Sequence, residues 1–225
     1  MGAASNLTAV FQTIGPAFES ATGIHPVFSF GSTAQLAQQI AERAPIDLFA
    51  AADTSHIADL DRRGMLATGS RAVYATGILA LWIPSSSRAK IGRIEDLAKA
   101  DVQIVAAAKP ELAPYGLAAV EAMRKVGIWE AVKPKMVYAP NVSMVQQYGV
   151  SGNADAVFTA FSLARNALGT TLQIDARLHH RLDQELAIPA SAANMESARE
   201  FRKFLLQGGG RRILADSGYL VPGIR

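Results

Sequence analysis

The sequence predicts an α/β protein with parallel sheets, and three observations carry the prediction. Strand-like apolar runs alternate with amphipathic helical patterns along the whole chain. Most of those runs are continuously apolar, as strands covered on both faces require. Two polar, turn-rich breaks, Pro84-Ser85-Ser86-Ser87-Arg88 and the stretch from Gly169 to Arg181, mark where the chain leaves a first domain and later returns. They predict a discontinuous first domain of residues 1–83 and 183–225 and a second of residues 84–182. With 225 residues, 50% of them hydrophobic, the chain can bury a core in each.

The elements follow in order. Leu7, Val10, Phe11, Ile14 and Phe18 share one helical face, and Gly15-Pro16 is expected to kink that helix. Residues 27–30 read as a strand, and Leu36 and Ile40 continue a helix begun at Thr33. A strand over 46–51 precedes a helix marked by Ile57 and Leu60 and stopped by Gly64. Strands are predicted over 77–83 and 102–105, then a helix carrying Leu117, Val120 and Met123 that Gly127 ends. Further strands fall at 135–138, 156–159 and 185–188, before a late helix with Phe201, Phe204 and Leu205. Gly208-Gly209-Gly210 reads as a helix-to-helix turn, because it lacks the lysine and the serine or threonine of a phosphate loop.

Several function classes lose support at this stage. The absence of cysteine removes disulfides, thiolate metal sites and a cysteine nucleophile. Basic residues are scattered and the net charge is +3, so nucleic-acid binding is not expected. No run of about eighteen apolar residues is present, which argues against a spanning helix. His25, His56, His179 and His180 lack metal-ligand spacing, and Asp155, Asp183 and Glu185 form no evident acid–base pair. There is no G-x-S-x-G elbow and no credible triad, so an enzyme is not predicted. Asp53 reads as a loop-orienting or capping residue.

Four short segments instead share one design, in which a strand-like run breaks into small hydroxyl or amide residues and a helix pattern starts at once. They are Ala3-Ala4-Ser5-Asn6, Gly31-Ser32-Thr33, Pro114-Tyr115-Gly116 and Asn141-Val142-Ser143. A helix start presents unpaired N–H groups and the positive end of a dipole, so it suits an anion. Singly, such residues are ordinary N-caps. Four together, at the carboxyl ends of strands, point to a cleft that wraps an oxyanion without a charged side chain.

These residues also carry a resemblance. Ala3-Ala4-Ser5-Asn6-Leu7-Thr8, the run from Phe30 to Ile40, Ala44-Pro45-Ile46-Asp47-Leu48-Phe49 leading to Ala52-Asp53, Lys109-Pro110-Glu111-Leu112-Ala113-Pro114-Tyr115-Gly116, Gly127-Ile128-Trp129 to Lys133-Pro134-Lys135 and Asn141-Val142-Ser143 stand in specific order and spacing. Over nearly its whole length the chain resembles the periplasmic molybdate/tungstate-binding proteins of ABC importers. The resemblance implies the type II periplasmic binding-protein fold: two α/β domains with mixed, mostly parallel sheets, joined by two crossover segments, with the ligand cleft between them. It also implies a hinge near residues 82–85 and 182–186.

By position, it implies oxyanion contacts from Ser5 and Asn6, from Ser32 and Thr33, from Tyr115 and from the backbone N–H of Val142. The tyrosine that many members carry in the segment matching 156–162 is replaced here by Ala160 or Phe161, so Tyr115 is expected to supply that hydroxyl. A strand precedes Ala3 in family members, near the centre of the first sheet. This chain begins there, which predicts a gap in that sheet. The expected ligand is molybdate or tungstate, with another anion such as sulfate or thiosulfate as the alternative. No cofactor and no directly ligated metal are expected. The expected partner is an inner-membrane ABC permease, the protein acting as a monomer in the periplasm, with no signal peptide in this chain.

Neutral donors suit such a task. Hydrogen bonds to a charged group contribute about 1.5–3 kcal/mol each, so six or so leave submicromolar binding after desolvation, where 1 μM corresponds to about 8 kcal/mol.

Overall fold

Gly2–Ala4 form β1, which pairs in parallel with β2 (Ser29–Gly31) on one side and β3 (Phe49–Ala50) on the other. The expected gap in the first sheet is therefore filled. Three small residues suffice, because both flanking strands supply backbone partners for them and their side chains are fully covered. The computed structural model describes residues 1–224.

The chain divides into two compact units, Met1–Gly77 with Asp183–Arg225, and Ile78–Leu182. The sequence reading places the first crossing after residue 83. The strand over 79–84 joins the sheet of the second unit instead, so the crossing comes after Gly77. A polar loop is the visible signal, but hydrogen-bonded partners decide to which sheet an apolar strand belongs.

In the first unit the sheet order is β2-β1-β3-β10-β4, with β4 at Ala72–Gly77 and β10 at Leu182–Ala187. β10 runs antiparallel to β3, with Leu186 opposite Ala50. Helix α1 (Thr8–Thr22) continues through Pro16 and stops at Gly23, whose left-handed conformation lets its N–H reach Glu19 O. Its apolar face meets α8 (Met195–Gln207) through aromatic side chains. Phe11 lies 5.1 Å from Phe28 and 5.7 Å from Phe201, and Phe18 lies 4.9 Å from Phe201. On the other side of the sheet, α2 (Thr33–Ala41) and α3 (Ser55–Arg62) bury Leu36, Ile40, Ile57 and Leu60 with Phe49. Gly208 is the turn after α8, and α9 (Gly209–Asp216) begins at the next residue.

In the second unit the order is β7-β6-β8-β5-β9. β6 (Val105–Ala108) pairs in parallel with β7 (Met136–Ala139) and β8 (Ala156–Ala160), while β5 (Leu79–Pro84) runs antiparallel to β8 and to β9 (Gly169–Gln173). Both sheets are mixed, as expected. Helix α4 (Pro114–Lys125) follows β6, and α6 (Val142–Val150) follows β7. The sequence reading puts the β6 strand at 102–105, three residues early. The true strand is Val105 followed by three alanines, a composition with low strand preference that only its buried, close-packed setting makes extended. β9, in a stretch read as loop, is an edge strand with largely exposed side chains, so it shows no apolar pattern.

Candidate functional site

The geometry of the four helix starts follows from strand register. In the first unit Ala4 is paired with Gly31. The next residues of each strand, Ser5-Asn6 and Ser32-Thr33, therefore emerge side by side at the carboxyl ends of two parallel neighbours. In the second unit Ala108 is paired with Ala139. Helix α6 opens just past that pair, whereas α4 opens after the loop 109–113 and is brought back to the strand end by Gly116, which sits against Ala108 O. Each unit thus carries one pair of adjacent helix starts, Ser5-Asn6 with Ser32-Thr33 and Tyr115 with Val142.

The first turns of these helical segments contain no acidic residue. Acidic side chains are favoured there because they answer the dipole. Some other helices meet that preference, with Glu95 and Asp96, Glu130 and Glu196 in their first turns, whereas those starting at Ser55, Phe161 and Gly209 also lack an acidic residue there. The positive ends of the four candidate helices are left without a carboxylate.

In the first unit, Ser5-Asn6-Leu7 form a single 3-10 turn leading into α1, and all three side chains are buried. The Asn6 amide nitrogen donates to Gln184 Oε1 at 3.0 Å and to Tyr219 Oη at 3.1 Å. Ser32 caps α2: its hydroxyl accepts from Gln35 N at 3.3 Å and donates to Gln35 Oε1 at 2.9 Å. Thr33 Oγ1 accepts from Ala52 N at 3.2 Å, which directs its own proton elsewhere. Asp53 accepts from His56 N at 3.1 Å and meets His56 Nδ1 at 2.7 Å, so it caps α3. That hydrogen bond, opposed by partial burial, raises the His56 pKa.

In the second unit, Pro114 and Tyr115 occupy the first two positions of α4, and Tyr115 is buried. Gly116 allows the close seat of this helix. A Cβ there would lie 2.1 Å from Ala108 O, at the end of β6. Asn141 Oδ1 accepts from Met144 N at 3.0 Å, so the Asn141 side chain caps α6 and Val142 is its first residue. Ala160 ends β8 and Phe161 opens the following turn. The segment also carries Thr159, which is fully buried with no partner for its Oγ1 among the described residues.

Sequence reasoning missed Gln184, Tyr74 and Tyr219. Gln184 carried a usable signal, as the one neutral polar side chain amid Glu185-Leu186-Ala187-Ile188 and Leu182 that an apolar strand would have to bury.

Two cavities contain none of the six predicted residues. One of about 560 Å³ in the first unit is lined by Phe18, Ile24, Phe28, Ile46 and Phe201 among others. One of about 510 Å³ in the second lies by Glu121, Arg124, His179 and His180. His180 is exposed and its Nδ1 lies 2.8 Å from Glu121 Oε1, while His179 is half-buried. Among the described residues no group of three or more His, Asp or Glu side chains could hold a metal ion.

Comparison with known proteins agrees with this architecture. The family of bacterial extracellular solute-binding proteins matches residues 1–220. A protein of Rhodobacter capsulatus named molybdate-binding protein ModA is 31% identical over 97% of this chain and 86% of its own length. A protein of the same name from Azotobacter vinelandii is 37% identical over 71% of this chain and 63% of its own length. The solved structure of the Azotobacter vinelandii periplasmic molybdate-binding protein superimposes with a TM-score of 0.91 at 27% identity, covering 98% of both chains. With paired helix starts on two mixed sheets and a match over almost its full length, the chain belongs to the bacterial extracellular solute-binding proteins.

Proposed function

We propose that this protein captures molybdate, or tungstate, and delivers it to an ABC permease from the periplasm, without making or breaking a covalent bond. The observation that carries the reading is the set of four helix starts free of carboxylates, arranged as two pairs at the ends of parallel strands. Each pair presents neutral donors suited to a tetrahedral dianion. The first unit contributes Ser5, Asn6, Ser32 and Thr33, and the second contributes Tyr115 and the N–H of Val142. At the Ser32 turn the backbone N–H groups are the donors, since the serine hydroxyl is engaged with Gln35. Thr33 adds its hydroxyl proton, and Tyr115 adds the phenol that stands in for the family tyrosine. The names of the relatives from Rhodobacter capsulatus and Azotobacter vinelandii support the choice of ion.

Fixed neutral donors discriminate by oxygen–oxygen span, so the larger metal-oxo dianions are preferred over sulfate. Isothermal calorimetry with molybdate, tungstate, sulfate and phosphate tests this directly. Submicromolar molybdate with sulfate at least about a hundredfold weaker, a difference of roughly 2.7 kcal/mol, is the expected result. Equal affinity for sulfate and molybdate would overturn the assignment.

A further inference from the structure

We propose that Gln184 and Tyr219 are positioning residues for the oxyanion: they hold the Asn6 side chain inward so that the first-unit loop meets the ion through backbone N–H groups and Ser5, not through the Asn6 amide. This inference rests on the oxyanion reading above and assigns the roles within that loop.

The proton count carries it. The Asn6 amide has two hydrogens, and its nitrogen is within hydrogen-bond distance of two acceptors, Gln184 Oε1 and Tyr219 Oη. The Tyr219 hydroxyl in turn donates to the Asn6 carbonyl at 2.7 Å, so one phenol grips both the side chain and the backbone of the same residue. Gln184 Oε1 also faces the Tyr74 hydroxyl at 2.8 Å, and Tyr74 lies 2.9 Å from Ala51 O. Asn6 is 1% exposed and Gln184 0%. The remaining polar atom of the Asn6 side chain, Oδ1, is buried with no partner among the described residues. A side chain whose donors are taken and whose spare atom is an acceptor has nothing to offer a fully deprotonated oxyanion. It can fix the turn, and with it the direction of the N–H groups at the start of the helical segment.

The anchors stand at telling places in the chain. Gln184 follows Asp183, which accepts from Thr76 Oγ1 at 2.6 Å. Tyr219 precedes Leu220, whose backbone exchanges two hydrogen bonds with Thr76 at 2.7 and 3.0 Å. Thr76 and Asp183 lie beside the points where the chain leaves and re-enters the unit. The Ser5-Asn6 turn is thereby tied, through two side chains, to both crossing segments.

The test uses the isotope-labelled full chain and two variants, Gln184→Leu and Tyr219→Phe. In wild type, molybdate should shift the backbone amide resonances of residues 5–7 and leave the Asn6 side-chain NH₂ resonances in place. Each variant should bind molybdate about tenfold more weakly by calorimetry, the scale of one misdirected charge-assisted hydrogen bond, with a narrowed preference over sulfate. A purely structural role would lower the melting temperature of the unliganded protein without changing the molybdate-to-sulfate ratio. Gln184→Glu, which keeps an acceptor for Asn6 and Tyr74, serves if Gln184→Leu does not fold, and it should retain the inward Asn6 resonances. Variants that bind and discriminate as wild type does, or Asn6 NH₂ resonances that move onto the ion, overturn the inference. If wild type binds no molybdate, the functional reading fails separately. The positioning claim is then judged on the unliganded protein, where Tyr219→Phe must speed hydrogen exchange of the Asn6 side chain or be wrong.

Discussion

The two units fix their helix starts by different means. The first uses buried polar side chains: Asn6, Gln184, Tyr74 and Tyr219 around one turn, and Thr33 bonded to the Ala52 amide at the other. The second uses backbone fit. Gly116 brings α4 against the carbonyl of Ala108, Lys109 N bonds Ala139 O, and the Asn141 side chain closes α6. The difference teaches that a helix terminus can be aimed either by a side-chain network, which tolerates bulk and depends on hydrogen-bond donors, or by contact, which tolerates nothing larger than hydrogen.

The largest break in that contrast is expected at Gly116→Ala. The new Cβ would sit 2.1 Å from a backbone oxygen, so α4 must lift or the strand end must move. A loss of about 3 kcal/mol in urea unfolding is expected, at the upper end of overpacking effects, together with weaker molybdate binding. A variant as stable as wild type would show that the strand end yields and that contact does not fix this helix.

A matched pair sharpens the comparison at intermediate size. Thr33→Val strips the acceptor from the buried Ala52 N–H and should cost about 1–3 kcal/mol. Asn141→Ala removes only a cap and should cost about 1 kcal/mol. Calorimetry on both should show Thr33→Val with the larger loss of molybdate affinity, since it also deletes a donor to the ion. The reverse order would place the selective contacts in the second unit.

The smallest effects are in pH. In the first unit the Asp53 hydrogen bond raises the His56 pKa from 6.5. Its contribution is complete below that unfolded value and is lost as pH rises through the raised one. In the second unit the Gly92 amide, then Lys99, hold the Asp96 carboxyl at about 2, down from 3.8. That contribution is present above the unfolded value and disappears as pH falls from about 4 to about 2. Melting curves against pH should therefore lose their alkaline slope in His56→Gln and their acid slope in Asp96→Asn. Unchanged slopes would remove these groups from the account.

Much of this was legible in the chain. Apolar periodicity located α1, α3, α4 and α8, though for α8 it marked only the stretch from Phe201 to Leu205, and the expected stops Gly64 and Gly127 take the left-handed conformation that glycine adopts freely. The four helix starts were visible as abrupt changes from apolar to hydroxyl, amide or tyrosine residues. Other elements were hidden for physical reasons. β1 is three residues long and small, β6 is alanine, and β9 is an exposed edge. Such strands are held by neighbours in the sheet rather than by preferences of their own.

The amino-acid order alone determined the α/β class, the places where helices begin, and the lack of charge at those places, since each is a property of adjacent residues. Only tertiary structure decided which starts stand together, through the pairing of Ala4 with Gly31 and of Ala108 with Ala139, and which way Asn6 faces. Register and the partners of a buried amide depend on groups up to 213 residues away in the chain, and no local pattern encodes them.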